Sequence, residues 1–270
     1  MADALIEPVA DRIRAVAAEV ILPLHRNLTD EQIRFKGHND PVTEADEESE
    51  RRLTRELRAL LPGSLVVGEE AVAADPAVLD RLMEPNPVWI IDPLDGTGNF
   101  ARGSDVFAVM VALVEAGETR AGWIYAPVSG RMLTAELGGG AHLDGRLIAK
   151  DRAARPLGAL IGAVHTRYLP AEPRRAVEAR LARFARNAEL YCAGLTYLGL
   201  AAGSYDHALF WRAKPWDHAA GALALAEMGG RTAFLEEDPY APLARDRVGL
   251  LSVRNGERWR EIRDALFETA

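Results

Sequence analysis

The run Val88-Trp-Ile-Ile-Asp92-Pro-Leu-Asp95-Gly-Thr-Gly-Asn-Phe100 contains the features from which the rest of the chain can be interpreted. Its first four residues are apolar and predict a short buried β-strand. We expect this strand to end at Asp92-Pro93, because proline has no backbone N–H and biases the preceding residue toward extended geometry. Asp95-Gly96 then predicts a tight turn. The run therefore places two carboxylates close together at the end of a strand.

The oxygen atoms of this turn are suited to binding a hard cation. The Leu94 carbonyl lies between Asp92 and Asp95, and the Thr97 hydroxyl follows. Such ligands suit Mg²⁺ and are poor ligands for softer metals. The alternative is a strand with an ordinary polar turn, since Asp, Pro and Gly are common turn residues. The complete pattern Asp-Pro-Leu-Asp-Gly-Thr-x-Asn-Phe is much more specific than Asp-x-x-Asp-Gly alone.

Four blocks, in order along the chain, resemble those of the inositol monophosphatase family, whose members are Mg²⁺-dependent, lithium-sensitive phosphomonoesterases. The blocks are Asp40-Pro-Val-Thr43-Glu-Ala-Asp46, Gly68-Glu69-Glu70, Asp92 to Phe100, and Pro215-Trp216-Asp217-His-Ala-Ala-Gly221 with Gly229-Gly230 after it. The resemblance covers nearly the whole chain. It implies a layered αβαβα sandwich of the inositol monophosphatase and fructose bisphosphatase type, and a homodimer.

The pattern along the chain independently predicts mixed α/β structure. Apolar residues at helical spacing indicate an amphipathic helix from about Asp3 to His25. Phe107 to about Ile148 is typical of an antiparallel meander, and strands alternate with helices after that. One of those strands is predicted over Glu189 to Cys192. We expect an N-terminal lobe over residues 1–150, which carries most metal-binding motifs, and a C-terminal lobe over 151–270, which supplies Asp217 and the substrate pocket.

Composition limits the possible partners. The net charge of −8 over 270 residues argues against nucleic-acid binding as the main activity. It is compatible with a small phosphorylated metabolite, because bound Mg²⁺ can invert the local field. The single cysteine, Cys192, excludes an intrachain disulfide and a cysteine-based zinc site. The sequence shows no signal-peptide region and no apolar run of membrane-spanning length, so we expect a cytoplasmic protein with no membrane partner.

The resemblance implies roles for individual residues. One Mg²⁺ would be held by Glu69, Asp92 and the Leu94 carbonyl, and a second by Asp92, Asp95 and Asp217. A third, weaker ion would lie near Glu69, and Mn²⁺ is a possible substitute for Mg²⁺. Thr97 and Glu69 would position or deprotonate the attacking water. The backbone N–H groups of Gly96 and Thr97 would bind the phosphate.

Other interpretations of several of these residues stay open. Thr43 and the acids after it are typical of a helix N-terminus, while the resemblance gives Asp46 the further task of orienting Thr97. Asp217 is either a helix N-cap or a metal ligand, and we favour the ligand. Lys36 either assists near the phosphate or is a solvated loop residue. His218 is expected beside the site or on the helix surface, since imidazole is a poor ligand for Mg²⁺.

The sequence departs from the family where the alcohol part of the substrate would bind. Inositol-specific members have Gly-Ser/Thr-Ala where this chain has Tyr191-Cys192-Ala193, and a glutamate where Phe210 aligns. Ala193 and Phe210 are therefore predicted to contact substrate, with weak preference for inositol 1-phosphate. Phe210, Trp211 and Tyr191 either line a flatter, more apolar pocket or belong to the core. Histidinol phosphate, fructose 1,6-bisphosphate and nucleotide bisphosphates remain alternative substrates. Some family members also act as binding proteins in RNA transcription or processing, which is an alternative of another class.

Overall fold

The computed structural model describes residues 3–37, 40–244 and 247–267, and arranges them in helix, sheet, helix, sheet and helix layers. The helices are α1 (Ile6–Val16), α2 (Leu22–Leu24), α3 (Glu44–Leu60), α4 (Glu69–Ala74), α5 (Thr97–Ala101), α6 (Ala171–Arg180), α7 (Ala193–Ala202), α8 (Pro215–Glu227) and α9 (Trp259–Phe267). The strands are β1 (Ile33–Gly37), β2 (Asp40–Thr43), β3 (Leu65–Gly68), β4 (Val88–Asp95), β5 (Ala108–Glu115), β6 (Glu118–Ala126), β7 (Arg131–Glu136), β8 (Gly140–Leu143), β9 (Arg146–Leu147), β10 (Ile161–Val164), β11 (Arg186–Asn187), β12 (His207–Arg212), β13 (Arg231–Phe234) and β14 (Val248–Val253).

The first layer is formed by α1 and α3. The helix predicted over Asp3 to His25 is confirmed, since α1 continues through a π-helical turn (Ala17–Ile21) into α2. Its apolar residues Val9 and Ile13 are fully buried in one cluster with Leu53 of α3 and Trp89 of β4. This packing fixes the N-terminus of α3, which carries Asp46, above one face of the central sheet.

The second layer is a seven-stranded sheet in the order β3-β4-β5-β6-β7-β8-β9. β3 and β4 are parallel, and the strands from β4 to β9 pair antiparallel, which confirms the predicted meander. The first seven residues of β4 are buried, as expected for a strand covered on both faces. The register of β4 against β5 shifts between Asp92 and Asp95, so the ladder is irregular where the carboxylates occur.

The third layer, α7 and α8, lies between the two sheets. Its approach to the central sheet is very close at Gly122 of β6, where an added Cβ would lie 2.7 Å from the Cα of Ala220. Glycine at this position therefore lets α8 sit directly against β6. The close contact fixes the direction of α8, whose first turn carries Asp217.

The fourth layer is a five-stranded sheet in the order β11-β10-β12-β14-β13, and α6 and α9 cover its outer face. β10 is parallel to both β11 and β12, while β14 is antiparallel to β12 and β13. The strand predicted over Glu189 to Cys192 is wrong. The strand in this region is β11, and Tyr191 has a φ of +51°. The side-chain amide of Asn99, in α5, donates hydrogen bonds to the Leu190 and Tyr191 carbonyls. These carbonyls therefore bind α5 and take no part in a β-ladder.

The break between the two sheets falls within residues 148–160. One buried apolar cluster nevertheless contains residues of both sheets, including Met110 of β5 and Leu250 of β14. The division into two lobes at residue 150 stays a prediction. Among the described residues, no helix combines the length and the apolar character needed to cross a membrane.

Candidate active site

The turn after β4 needs glycine at position 96. Gly96 has a φ of +89°, and an added Cβ would lie 2.8 Å from the Val106 carbonyl oxygen. Asn99 and Phe100 donate their backbone N–H groups to the Gly96 carbonyl, which starts α5 at once. The left-handed conformation of Gly96 therefore turns the chain from the strand into the helix within one residue. The backbone N–H groups of Gly96 and Thr97 lie at the start of that helix.

Asp46 and Thr97 come from distant parts of the chain and meet beside this turn. The Thr97 hydroxyl lies 2.8 Å from Asp46 Oδ1 and 2.9 Å from the Leu94 carbonyl. Asp46 Oδ2 accepts from the backbone N–H of Thr43 at 2.8 Å, so the carboxylate also caps α3. Burial raises the pKa of Asp46 to about 7, although its bonds to Thr43 and Thr97 oppose this. The capping and orienting interactions considered from the sequence are thus both present.

Glu69 is the first residue of α4 and follows β3 directly. The Lys36 ammonium donates to Glu69 Oε1 and to Glu70 Oε1, each at 2.8 Å. Burial disfavours the charged ammonium, but the two glutamates outweigh this effect and raise the pKa of Lys36. Lys36 therefore contacts the site and lies within β1. The solvated loop that the sequence offers as the alternative location of Lys36 is thus not found at Lys36 itself, and residues 38 and 39, which follow β1, lie outside the described residues.

Asp92, Asp95 and Asp217 are the other acids of the site, and with Glu69 we call them the carboxylate cluster. Burial raises the pKa of Asp92, which is only 2% exposed, and the charges of Glu69, Asp95 and Asp217 raise it further. Burial, Asp95 and Glu69 likewise raise the pKa of Asp217, which lies within hydrogen-bonding reach of Asp92. Four acids from three different elements thus act on one another electrostatically.

Asp95 is held by hydrogen bonds from the first turn of α7 and the residue before it. Its Oδ2 accepts from the Gly194 backbone N–H at 2.6 Å and from Cys192 Sγ at 2.9 Å. Burial raises the pKa of the Cys192 thiol, and the neighbouring Asp95 carboxylate raises it further, so the thiol acts as the donor. Ala193 starts α7 between these two donors. The cysteine therefore orients a carboxylate and is not itself a metal ligand.

The chemistry of the carboxylate cluster fits Mg²⁺. Within the described residues, no group of three Asp, Glu, His or Cys side chains forms a ready metal site. The charges interact over a distance, whereas a ready site needs oxygen atoms converging on one point. Oxygen atoms of Glu69 and Asp95 are instead bonded to Lys36, Cys192 and Gly194. The donors are nevertheless all hard carboxylate oxygens, and their mutual repulsion would be relieved by a divalent cation.

Comparison with known proteins agrees with this geometry. Residues 5–263 match the model of the inositol monophosphatase family. The chain belongs to that family. Family members are phosphoric monoester hydrolases.

Three relatives illustrate the range of the family. The fructose-1,6-bisphosphatase/inositol-1-monophosphatase of Thermotoga maritima is 34% identical over 210 residues, which is 78% of this chain and 77% of the relative. The Nus factor SuhB of Pasteurella multocida is 32% identical over 231 residues, or 82% of each chain. A solved structure of a Thermotoga maritima IMPase superposes with a TM-score of 0.79 at 28% identity, covering 94% of this chain and 92% of that one. The αβαβα fold implied by the sequence is thereby confirmed.

Sequence reasoning missed Glu50, which lies under the site. Its carboxylate accepts from the backbone N–H groups of Glu70 at 2.7 Å and Ala71 at 2.9 Å, and so caps α4. An added Cβ on Gly68 would lie 2.2 Å from Glu50 Cδ, so the glycine makes room for this acid. The signal was available, because Glu50 shares the buried stripe of α3 with Asp46, Leu53 and Leu57. Glu50 therefore positions Glu69 through the helix that Glu69 begins.

The side chains predicted to contact the alcohol part of the substrate differ in burial. Phe210 is only 7% exposed and stacks between the rings of His165 and Tyr197, each at 5.5 Å. Its predicted contact with substrate stays a prediction. Tyr191 is 40% exposed at the surface.

His218 is buried beside the site, which is one of the two locations predicted for it. Its Nε2 donates to the Arg212 carbonyl at 2.9 Å, which leaves Nδ1 to accept from the Tyr197 hydroxyl at 3.1 Å. Burial lowers the pKa of His218 to about 4. The neutral ring ties the end of β12 to the first turn of α8, next to Asp217.

Proposed function

We propose that this protein hydrolyses a small phosphate monoester with the help of Mg²⁺. The observation that carries the proposal is a set of mutually repelling carboxylates, the buried Asp92 and the half-buried Asp95 and Asp217, beside the hydrogen-bonded pair of Asp46 and Thr97. Buried acids of like charge are costly unless a cation offsets them. Phosphate ester hydrolysis needs charge neutralisation at the phosphoryl group, which acids provide only through bound metal ions.

The ligand assignment follows from the family membership and the donor chemistry. Glu69, Asp92 and the Leu94 carbonyl would hold one Mg²⁺, and Asp92, Asp95 and Asp217 a second. A third ion would bind near Glu69, and Mn²⁺ would be a workable substitute. When bound, these ions would neutralise phosphoryl charge and make water a stronger nucleophile.

The chain's own residues hold the remaining groups in place. Asp46 accepts a hydrogen bond from Thr97, which leaves the Thr97 oxygen lone pairs to orient an attacking water. Glu69 would take up a proton from that water. The backbone N–H groups of Gly96 and Thr97 would donate to the phosphate, as would the Lys36 ammonium if it exchanged its bond to Glu69 for the substrate. Asp95, Asp217, Ala193 and Phe210 would adjoin the bound ester.

A panel of phosphate monoesters tests the proposal directly. We expect Mg²⁺-dependent phosphate release from at least one of inositol 1-phosphate, fructose 1,6-bisphosphate, histidinol phosphate and a nucleotide bisphosphate. Asp11→Asn, which changes an exposed acid on α1, serves as the control for Asp92→Asn. Release that is unaffected by chelator, or equal in the two variants, would contradict the proposal.

A binding role is the second candidate, and it is favoured by the similarity to the Nus factor SuhB of Pasteurella multocida. The two functions are separable in cells that lack this protein. If Asp92→Asn restores the phenotype as well as the unmodified protein does, the binding role is favoured and hydrolysis is dispensable. We also propose a homodimer, which sedimentation at micromolar protein concentration would test.

A further inference from the structure

Four side chains form what we call the basic rim: Arg167, Tyr168, Tyr191 and Arg212. Arg167 and Tyr168 follow β10, and Arg212 ends β12. These strands are parallel, with Val164 opposite Leu209, so their carboxyl ends lie at the same edge of the sheet. Asp217 follows the same end of β12. In α/β sheets, ligands bind outside the carboxyl ends of parallel strands, which places the basic rim at the mouth of the proposed active site.

The two guanidinium groups of the basic rim share one aromatic ring. Arg212 Cζ lies 4.0 Å from the ring centroid of Tyr168, and Arg167 Cζ lies 5.5 Å from the same centroid. Arg167 is also 6.0 Å from the ring centroid of Tyr191. Among the described residues, neither arginine forms a salt bridge with a carboxylate. Glu189, the acid beside Tyr191, instead accepts a hydrogen bond from its hydroxyl at 2.6 Å.

Two chains of contacts connect the basic rim to the carboxylate cluster. The Arg212 carbonyl accepts from His218, the residue after Asp217, at 2.9 Å. Tyr191 immediately precedes Cys192, whose thiol is bonded to Asp95. The basic rim is therefore attached on both sides to elements that position cluster acids.

Holding two like charges over one ring is unfavourable unless an anion offsets their repulsion. Guanidinium groups bind phosphate and carboxylate oxygens in pairs, and exposed aromatic rings keep the arginines in place by cation–π contact. An anionic substrate must also approach a chain with a net charge of −8. A local positive rim at the mouth would favour that approach.

We propose that the basic rim binds a second anionic group on the alcohol part of the substrate, so that the preferred ester carries a phosphate or carboxylate besides the phosphate that is removed. This inference rests on the proposed phosphatase activity. It favours doubly anionic esters over neutral polyol phosphates. It disfavours an ester whose alcohol part carries a cationic amine.

The test compares fructose 1,6-bisphosphate with fructose 1-phosphate, which differ by one phosphate. The measured quantity is the ratio of kcat/KM for the first ester to that for the second. We expect the ratio to fall about 10-fold or more in Arg167→Gln/Arg212→Gln, since hydrogen bonds to charged groups are among the stronger ones. The loss should occur mainly in KM for the bisphosphate. Arg212→Lys should keep part of the preference, because lysine keeps the positive charge but cannot donate the paired hydrogen bonds of a guanidinium group.

Arg55→Gln, an exposed arginine on α3, is the matched control and should leave the ratio unchanged. Thermal unfolding of the double variant shows whether it is folded, and the single variants replace it if it is not. An unchanged ratio in folded variants would overturn the role of the rim while leaving the phosphatase intact. If neither ester is hydrolysed, calorimetric binding of the same two esters decides the role of the rim by the ratio of their affinities. The proposed function itself fails only if no ester of the larger panel releases phosphate.

Discussion

The carboxylate cluster and the basic rim are built in opposite ways. The cluster is negative, with Asp92 buried at 2% exposure and the other three acids half-buried, and it is held by hydrogen bonds from backbone groups and from Lys36. The rim is exposed and positive, and its tyrosines are 43% and 40% exposed at positions 168 and 191. Buried, fully bonded groups are costly to rearrange, whereas exposed side chains can be exchanged at little cost in stability. The difference indicates that the cluster sets the reaction and the rim selects the ester.

The strongest test of this division changes the carboxylate cluster itself. Asp92→Asn and Asp217→Asn should each lower kcat/KM by about a thousandfold, since metal-supplied stabilisation is worth several kcal/mol and about 1.4 kcal/mol is tenfold. The loss should be similar for every ester, because the metal ions that these acids would hold act on the phosphate, which all the esters share. Steady-state kinetics on two chemically different esters measures both points. A variant that lost activity on one ester alone would place substrate selection in the cluster.

A smaller effect is expected from Glu50, which supports the cluster from below. In Glu50→Gln an amide N–H₂ would face one of the backbone donors of Glu70 and Ala71, so the cap of α4 would be weakened. Residues that orient metal ligands typically contribute about 10- to 100-fold in metal affinity or activity. We expect the Mg²⁺ concentration for half-maximal activity to rise within that range.

Glu56→Gln, on the exposed side of the same helix, is the control for this variant and should behave like the unmodified protein. The ratio between two esters should not change in Glu50→Gln, because the Glu50 carboxylate bonds to the backbone of α4 and to no residue of the basic rim. Full activity at unchanged Mg²⁺ concentration would show that α4 does not need this cap to position Glu69.

The sequence predicted the cluster far better than the rim, and the physical reason is locality. Asp92, Asp95 and Thr97 lie in one run, where the strand, the proline and the glycine fix their geometry within a few residues. The contact of Asp46 with Thr97 came from the family resemblance and is present in the structure. Arg167 and Arg212 meet only because β10 and β12 are parallel neighbours, and no periodic pattern in the chain encodes that pairing.

Tyr191 and Phe210 show a second limit of sequence reasoning. The sequence predicts a strand over Glu189 to Cys192, but the carbonyls of Leu190 and Tyr191 accept hydrogen bonds from the Asn99 amide of α5. Phe210 packs against the rings of His165, Tyr197 and His218, and its predicted contact with substrate stays a prediction. Composition and alternation cannot distinguish a buried aromatic residue in a pocket wall from one in the core, since both are apolar positions on a strand.

The smallest expected effect concerns how stability depends on pH, and it also separates the two regions. Burial raises the pKa of Asp46 and of Glu50 to about 7 from ordinary values of 3.8 and 4.5, and it raises those of Asp92 and Asp217 as well. At these acids the folded protein therefore binds protons more tightly than the unfolded chain between about pH 4 and pH 7. The buried rings of His165, His207 and His218, whose pKa values burial lowers, act in the opposite sense, but mainly below about pH 6.5, the ordinary pKa of histidine. Above that pH the acids dominate, so the free energy of unfolding should fall as pH rises toward 8. In chelator, the melting temperature should be a few degrees higher at pH 6 than at pH 8, and added Mg²⁺ should stabilise more at pH 8, where the acids are ionised.

Glu50→Gln should reduce the difference in melting temperature between the two pH values, whereas Arg167→Gln/Arg212→Gln should leave it unchanged, because arginine does not titrate there. A melting temperature that rises from pH 6 to pH 8 in chelator would mean that the acids are already stabilised as anions without metal. The carboxylate cluster would then not need a cation to offset its mutual repulsion.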